Sequence, residues 1–158
     1  MKRLSVWVLF VLSFALGFAS CSDMSSEYLD PEDYANQDID YQPSSFYEAR
    51  TWVAKNITYK KACLGNDKQT PEETYKLRTG DCDDYAILLA YFGYKLGLDV
   101  KIIAVWLDNR DCGHAIVYYN GHYVEPQISY CYWTDLNEPY HIVFTYTYHD
   151  AFYNYFYQ

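Results

Sequence analysis

The dipeptide Asn120-Gly121 most limits how this chain can fold. A two-residue hairpin loop needs left-handed backbone at its central positions, which Asn and Gly tolerate, and its twist matches the strands it joins. Gly113 to Tyr119 and His122 to Pro126, the runs on either side, read as those strands. The pairing then sets Tyr119 opposite His122 and Ile116 opposite Glu125. Opposed residues share a face, and so do alternate residues along one strand. His114 and Glu125 therefore fall on one face as diagonal neighbours, about 7–8 Å apart at the backbone, with His122 on the other face. A carboxylate so placed can accept a hydrogen bond from one imidazole nitrogen, leaving the other to face a nucleophile. A His beside a Glu in a sheet is also an ordinary structural pair, so the reading needs a nucleophile from elsewhere.

Arg78-Thr79-Gly80-Asp81-Cys82-Asp83-Asp84-Tyr85-Ala86 supplies one. Gly80 breaks the preceding structure and Asp81 can cap a helix. Ala86, Leu89, Ala90 and Gly93 then follow at helical spacing, which predicts that Cys82 sits in a first turn. Unpaired N–H groups and the positive end of the helix dipole favour a thiolate there, and the thiolate is the nucleophile. Asp81, Asp83 and Asp84 oppose it, so an imidazolium nearby is required. The alternative is a small residue packed at a helix start.

The rest of the chain divides by period. Ser45-Phe46-Tyr47-Glu48 has the form of a capping box, and Ala49, Trp52 and Val53 continue a helix from Phe46 to Asn56. Ile57 to Tyr59 reads as extended. Thr70-Pro71-Glu72-Glu73 starts a second, short helix, and the Cys82 helix runs to a stop at Gly97. Val100 to Leu107 and Ile142 to Tyr148 add strands to the hairpin. Helices followed by an antiparallel sheet predict an α+β fold, in one domain over residues 46–158. The aromatic tail, residues 151–158, reads equally as an edge strand or a packing strap.

Residues 1–20 have the form of a secretory signal: Lys2 and Arg3, an apolar run from Leu4 to Phe18, then Ala19 and Ser20. Phe18-Ala19-Ser20-Cys21 resembles a bacterial lipobox, in which Cys21 would be lipidated and anchor the protein to a membrane of the cell envelope. Ordinary cleavage near Ala19 is the alternative. Residues 21–45 read as an acidic tether, with seven acids, no Lys or Arg, and Tyr28, Tyr34 and Tyr41 as docking points. Of the net charge of −9, residues 46–158 carry −4. Neither part is basic, which argues against nucleic acid as a partner.

The series Ile57-x-Tyr59, Pro71-Glu72-Glu73-Thr74, Arg78-x-Gly80-Asp81-Cys82-Asp83-Asp84-Tyr85-Ala86, Gly113-His114-Ala115 and Tyr123-Val124-Glu125 resembles the transglutaminase-like superfamily, and within it the bacterial transglutaminase-like cysteine proteinases. The resemblance implies a papain-like core with Cys82 as nucleophile, His114 as general base and acid, and Glu125 as the group that orients it. Glu stands where Asp is commoner, and Lys68-Gln69 where a tryptophan is often found. The implied reaction is attack on an amide or peptide carbonyl through a thioacyl intermediate. Water as acceptor gives hydrolysis, an amine gives protein crosslinking, and a cleft that holds a peptide or cell-wall ligand without turnover is a third reading. Gln69 is one candidate for the second oxyanion donor. No cofactor is expected. Some relatives bind calcium through acids beside the cysteine; here Asp81 and Asp83 read as helix-cap and dipole partners. A zinc site from Cys112, His114, His122 and Cys131 fits no compact spacing. Cys63, Cys112 and Cys131 allow one disulfide and leave an odd thiol.

Overall fold

A computed structural model describes residues 34–61, 68–109, 112–129 and 139–156. Its elements run α1 (Phe46–Asn56), β1 (Thr58–Tyr59), α2 (Pro71–Leu77), β2 (Thr79–Gly80), α3 (Cys82–Lys95), β3 (Lys101–Leu107), β4 (Cys112–Tyr119), β5 (His122–Val124), β6 (Tyr140–Thr147) and α4 (Tyr148–Phe156). The helical half and the antiparallel sheet are thus those expected, and the fold is α+β. The sheet has the order β5-β4-β3-β6, every neighbouring pair antiparallel. A separate two-residue parallel pair joins β1 to β2, with Tyr59 opposite Gly80. That pair is too short to leave a pattern in sequence.

The helix ends form for local reasons. Ser45 Oγ accepts the Glu48 N–H, while the Glu48 carboxylate reaches past it to the N–H and hydroxyl of Ser44. At α2 the capping box is complete between Thr70 and Glu73, with Pro71 at the first helical position. Arg78 closes α2 in left-handed backbone at φ 58°, uncommon outside glycine. Gly97, at φ +69°, follows α3 as its stop.

α3 is the axis of the domain. Its residues from Asp84 to Gly93 are all buried, where the sequence predicts one apolar stripe. α1, α2, α4 and the strands β3 and β4 all pack around it, so no side is left to water. Ala49 and Val53 of α1, Val117 and Val124 of the hairpin, and Tyr148, Ala151 and Phe152 of α4 share its core. A buried Leu88, Leu89 or Phe92 contributes about 1.5–3 kcal/mol by leaving water. A second, smaller cluster of Ile103, Val105, Leu107 and Ile116 lies on the opposite face of the sheet. The aromatic tail is therefore not an edge strand: through Phe156 it is a helix, and it packs against α3. Gly93 lets the start of β3 approach closely. A Cβ there would sit 2.3 Å from Val100 Cγ2. Gly93→Ala is expected to lower stability by about 1–3 kcal/mol, read from a urea unfolding curve with unchanged slope.

Residues 34–45, read from composition as tether, lie on the helices through the tyrosines singled out as docking points. Tyr41 stacks on Trp52 at 4.8 Å between ring centroids, and Trp52 on Tyr75 at 5.1 Å. The Arg78 guanidinium sits against both of the last two rings, 4.5 Å from the Trp52 centroid and 4.2 Å from that of Tyr75. Tyr148 donates its hydroxyl to the Tyr34 carbonyl at 2.8 Å. Lys76 pairs with Asp38 and Glu72 at the surface, where such bridges contribute little. Stacked rings hold this segment more than charge does.

Candidate active site

The start of α3 is fixed from both directions. Asp81 stands in extended backbone and accepts the N–H groups of Asp83 at 3.0 Å and Asp84 at 3.4 Å. The Asp84 carboxylate reaches back to the Asp81 N–H at 2.9 Å. It also accepts the backbone N–H of Gln69 at 3.1 Å and its side-chain amide at 3.0 Å. One buried carboxylate thus ties the loop before α2 to the turn that presents Cys82. Gly80 permits this, since a Cβ there would lie 2.6 Å from Asp84 Cβ. The clamp is a feature sequence reasoning missed, although the spacing Asp81-x-x-Asp84 is that of a capping box. It also takes the amide nitrogen of Gln69, the residue weighed as an oxyanion donor.

Burial pushes the Asp84 carboxyl up to about 6, and its N–H donors only partly offset this. Between about pH 4 and 6 the folded chain holds a proton at Asp84 that the unfolded chain has released, so this group's contribution to stability falls as pH rises through that window. Asp84→Asn is expected to remove that fall, whatever its effect on absolute stability. Melting temperature measured across the window checks it.

Cys82 lies where expected, in the first turn of α3, half-buried. Its sulfur is 3.7 Å from Asp83 Oδ1 and accepts the backbone N–H of Ala115. Burial first, and Asp83 second, push the thiol up to about 12. A helix N-terminus favours an anion by about 0.3–1 kcal/mol. The lift from an ordinary thiol is about 4 kcal/mol. The helix end alone therefore does not make a thiolate, and a base must take the proton.

The hairpin places His114 beside Glu125. Asn120 and Gly121 have φ of 48° and 84°, and the strands pair Tyr119 with His122 and Val117 with Val124. This is the expected register. His114 Nε2 lies 2.7 Å from Glu125 Oε2, with both side chains mostly buried. A carboxylate only accepts, so Nε2 donates in this bond. The other Glu125 oxygen accepts the Gln127 N–H at 3.0 Å, which holds the carboxylate still. His122 lies on the opposite face, against a cavity with Phe46, Arg50 and Val124. His114 itself faces the side of Ile116, whereas α3 packs on the side of Ala115 and Val117. Cys82 meets β4 at the backbone between them.

Cys112 is a free thiol, two residues before His114 on the same strand. Tyr59 lies in the electrostatic neighbourhood of Cys82, Asp81, Cys112 and Asp83: its own burial, then these groups, push its phenol up. Cys21, Cys63 and Cys131, and with them the lipidation and disulfide readings, lie outside the described residues.

A family model described as a transglutaminase-like domain matches residues 32–144. The chain belongs to the transglutaminase-like domain family. Its fold is shared with LapG of Legionella pneumophila at TM-score 0.55 and 13% identity, over 64% of this chain and 61% of LapG. The calcium-bound form of LapG gives TM-score 0.54 at 13% identity, over 64% of this chain and 62% of that one. A candidate cysteine protease from Cytophaga hutchinsonii gives TM-score 0.51 at 18% identity, over 67% of this chain and 36% of the other. The transglutaminase-like chain thus spans about three-fifths of LapG and about a third of the Cytophaga protein. No curated protein matches its sequence. The matched family residues end before α4 begins.

One of the LapG structures is calcium-bound. Asp81 Oδ1 and both Asp84 oxygens already accept N–H groups. Among the described residues no three His, Cys, Asp or Glu side chains are grouped to hold a metal ion. The acids around Cys82 fit a helix cap better than a cation site.

Proposed function

We propose that this domain is a cysteine-dependent amide or peptide hydrolase, with Cys82 as nucleophile, His114 as general base and acid, and Glu125 as the orienting carboxylate. The observation that carries this reading is the junction at β4: His114 bonded to buried Glu125 at 2.7 Å, with the next residue's N–H on the Cys82 sulfur. His114 Nδ1 takes the thiol proton as the sulfur attacks the substrate carbonyl carbon. The imidazolium this creates is stabilised by Glu125. The oxyanion is met by the Cys82 backbone N–H at the start of α3. The carbon–nitrogen bond breaks, and the amine leaves with the proton from His114. Water then attacks the thioester, giving its proton to His114, which returns it to the sulfur as the acid departs. An amine in place of that water gives crosslinking by the same residues.

A second reading, a binding module without turnover, is favoured by the thiol's elevation to about 12. Iodoacetamide labelling read by peptide mass spectrometry separates the two. For the hydrolase, Cys82 is expected to label near neutral pH faster than Cys63, Cys112 or Cys131, and to lose that advantage in His114→Ala. Equal labelling of Cys82 in both proteins argues for the binding module.

We further propose export and lipid attachment at Cys21, on the strength of the apolar run that ends in Ala19-Ser20-Cys21. Among the described residues no helix is long and apolar enough to cross a membrane. More than one acyl chain at Cys21 would hold the domain at a surface, since each buried methylene contributes about 0.8 kcal/mol. The protein is expected to partition into detergent, and Cys21→Ala to move it to the aqueous phase. A Cys21→Ala protein that fractionates like wild type rules the anchor out.

A further inference from the structure

We infer that the cleft between α3, β3 and α4 is the subsite for the substrate side chain on the acyl side of the scissile bond, and that it takes an aliphatic side chain. This rests on the hydrolase reading above. The cleft holds about 170 Å³, and its walls are mostly apolar: Ile87 of α3, Ile102 and Ala104 of β3, Ala115 of β4 and Ala151 of α4, with Tyr146 of β6 and Asn154 of α4 as its neutral polar residues. Asp83, the residue after the proposed nucleophile, also lines it. Ala115 joins the two sites: its methyl lines the cleft and its N–H bonds the Cys82 sulfur.

The side of the sheet decides which part of a substrate enters. Successive residues of a strand point to opposite faces, so the His114 ring and the Ala115 methyl lie on opposite sides of β4. The leaving amine must receive its proton from His114, and so departs on the imidazole side. What remains bonded to sulfur is the acyl group, whose side chain then lies across the strand, toward Ala115. Cross-strand partners there are Ala104 and Ala115, two small residues opposite one another, at a point where β3 also shifts register against β6. Larger residues at either place would narrow the gap; the next pair on the same face, Ile102 and Val117, is of that larger kind. Protein interiors are otherwise close-packed, and a concave apolar space one residue from a nucleophile has the form of a ligand pocket. Five of its eight lining residues are Ile or Ala and none is Lys or Arg; Tyr146 and Asn154 are its neutral polar groups, and Asp83 is its one charge, which repels an acidic side chain. α4, beyond the family-matched residues, supplies one wall, so selectivity here belongs to this chain's own C-terminal helix.

Acetyl-X coumarin amides, which vary only the acyl residue, test this on the full chain. Leu, Val and Met are expected to exceed Asp, Asn and Gly by about tenfold or more in kcat/KM. Ala104→Leu, which fills the cleft, is expected to cost the Leu substrate about tenfold while the Gly substrate changes by less than about twofold. A flat series in wild type, or a preference unmoved by both Ala104→Leu and Ala151→Leu, overturns the assignment. A second measurement needs no turnover: N-acetyl-leucinamide titrated into the Cys82→Ala protein should saturably shift the methyl resonances of Ile87, Ile102 and Ala151, and N-acetylglycinamide should not. No shift, or equal shifts, also overturns the subsite. Failure of the hydrolase reading shows separately, as a Cys82 no more reactive toward iodoacetamide in wild type than in His114→Ala.

Discussion

Amide hydrolysis is expected to fall by about 10²–10⁴-fold in His114→Ala, with the melting curve little changed. The reason lies in the thiol. Burial and Asp83 hold Cys82 near 12, so without an internal base almost no thiolate exists at neutral pH. Residual activity of the variant should therefore climb about tenfold per pH unit from pH 7 to 10, as solvent hydroxide replaces the imidazole. Glu125→Gln should keep the hairpin and still lower turnover by about 10²-fold or more, because a neutral amide no longer stabilises the imidazolium. His122→Ala, on the other face, should stay within about twofold, as surface changes away from a site usually do. A His114→Ala protein that keeps most of its turnover, or a flat pH profile for what remains, would sink the triad.

Trp52→Ala is expected to lower stability by about 3 kcal/mol, the low end for a core aromatic, since the ring is only partly buried. The ring is the middle of a stack: Tyr41 on one side, Tyr75 and the Arg78 guanidinium on the other, and Phe92 against its edge. Removing it strips Tyr41 of its platform, so residues 34–45 should become open to chymotrypsin at Tyr41 before the rest of the domain unfolds. Limited proteolysis and urea unfolding together check this. Lost stability with Tyr41 still protected would mean that the polar contacts of Asp38 and Asp40 hold the segment.

Much of this was legible in the residues because it depends on local rules. The Asn120-Gly121 turn specifies its backbone and therefore its register, so the contact between His114 and Glu125 could be read from spacing. The α3 start was legible because Gly80, Asp81 and the apolar spacing after Cys82 act within a few residues. What escaped depends on contacts distant in the chain. Burial of α3 on every side needs α1, α2, α4 and the sheet in place, and no periodicity within α3 reports that. The Asp84 clamp on Gln69 spans fifteen residues, across α2 and β2, to a loop residue with no signature of its own. The tail was ambiguous because Ala151, Phe152 and their aromatic neighbours suit a strand surface as well as a helix. α3 decides it, by offering a face for Tyr148, Ala151 and Phe152. The elevated thiol was half legible: the flanking acids were visible, but burial, the larger cause, was not.

Loops are commonly where a protein accepts insertions and deletions. The loop at Asn120-Gly121 is an exception built into the geometry. Because side chains alternate along a strand, one residue added there would turn every side chain of β5, and Glu125 after it, to the far side of the sheet. Cys82, His114 and Glu125 would all still be present in the sequence, and the contact between His114 and Glu125 would nevertheless be lost. Related chains that share this chemistry should vary freely in length at many connections and scarcely at all at this one.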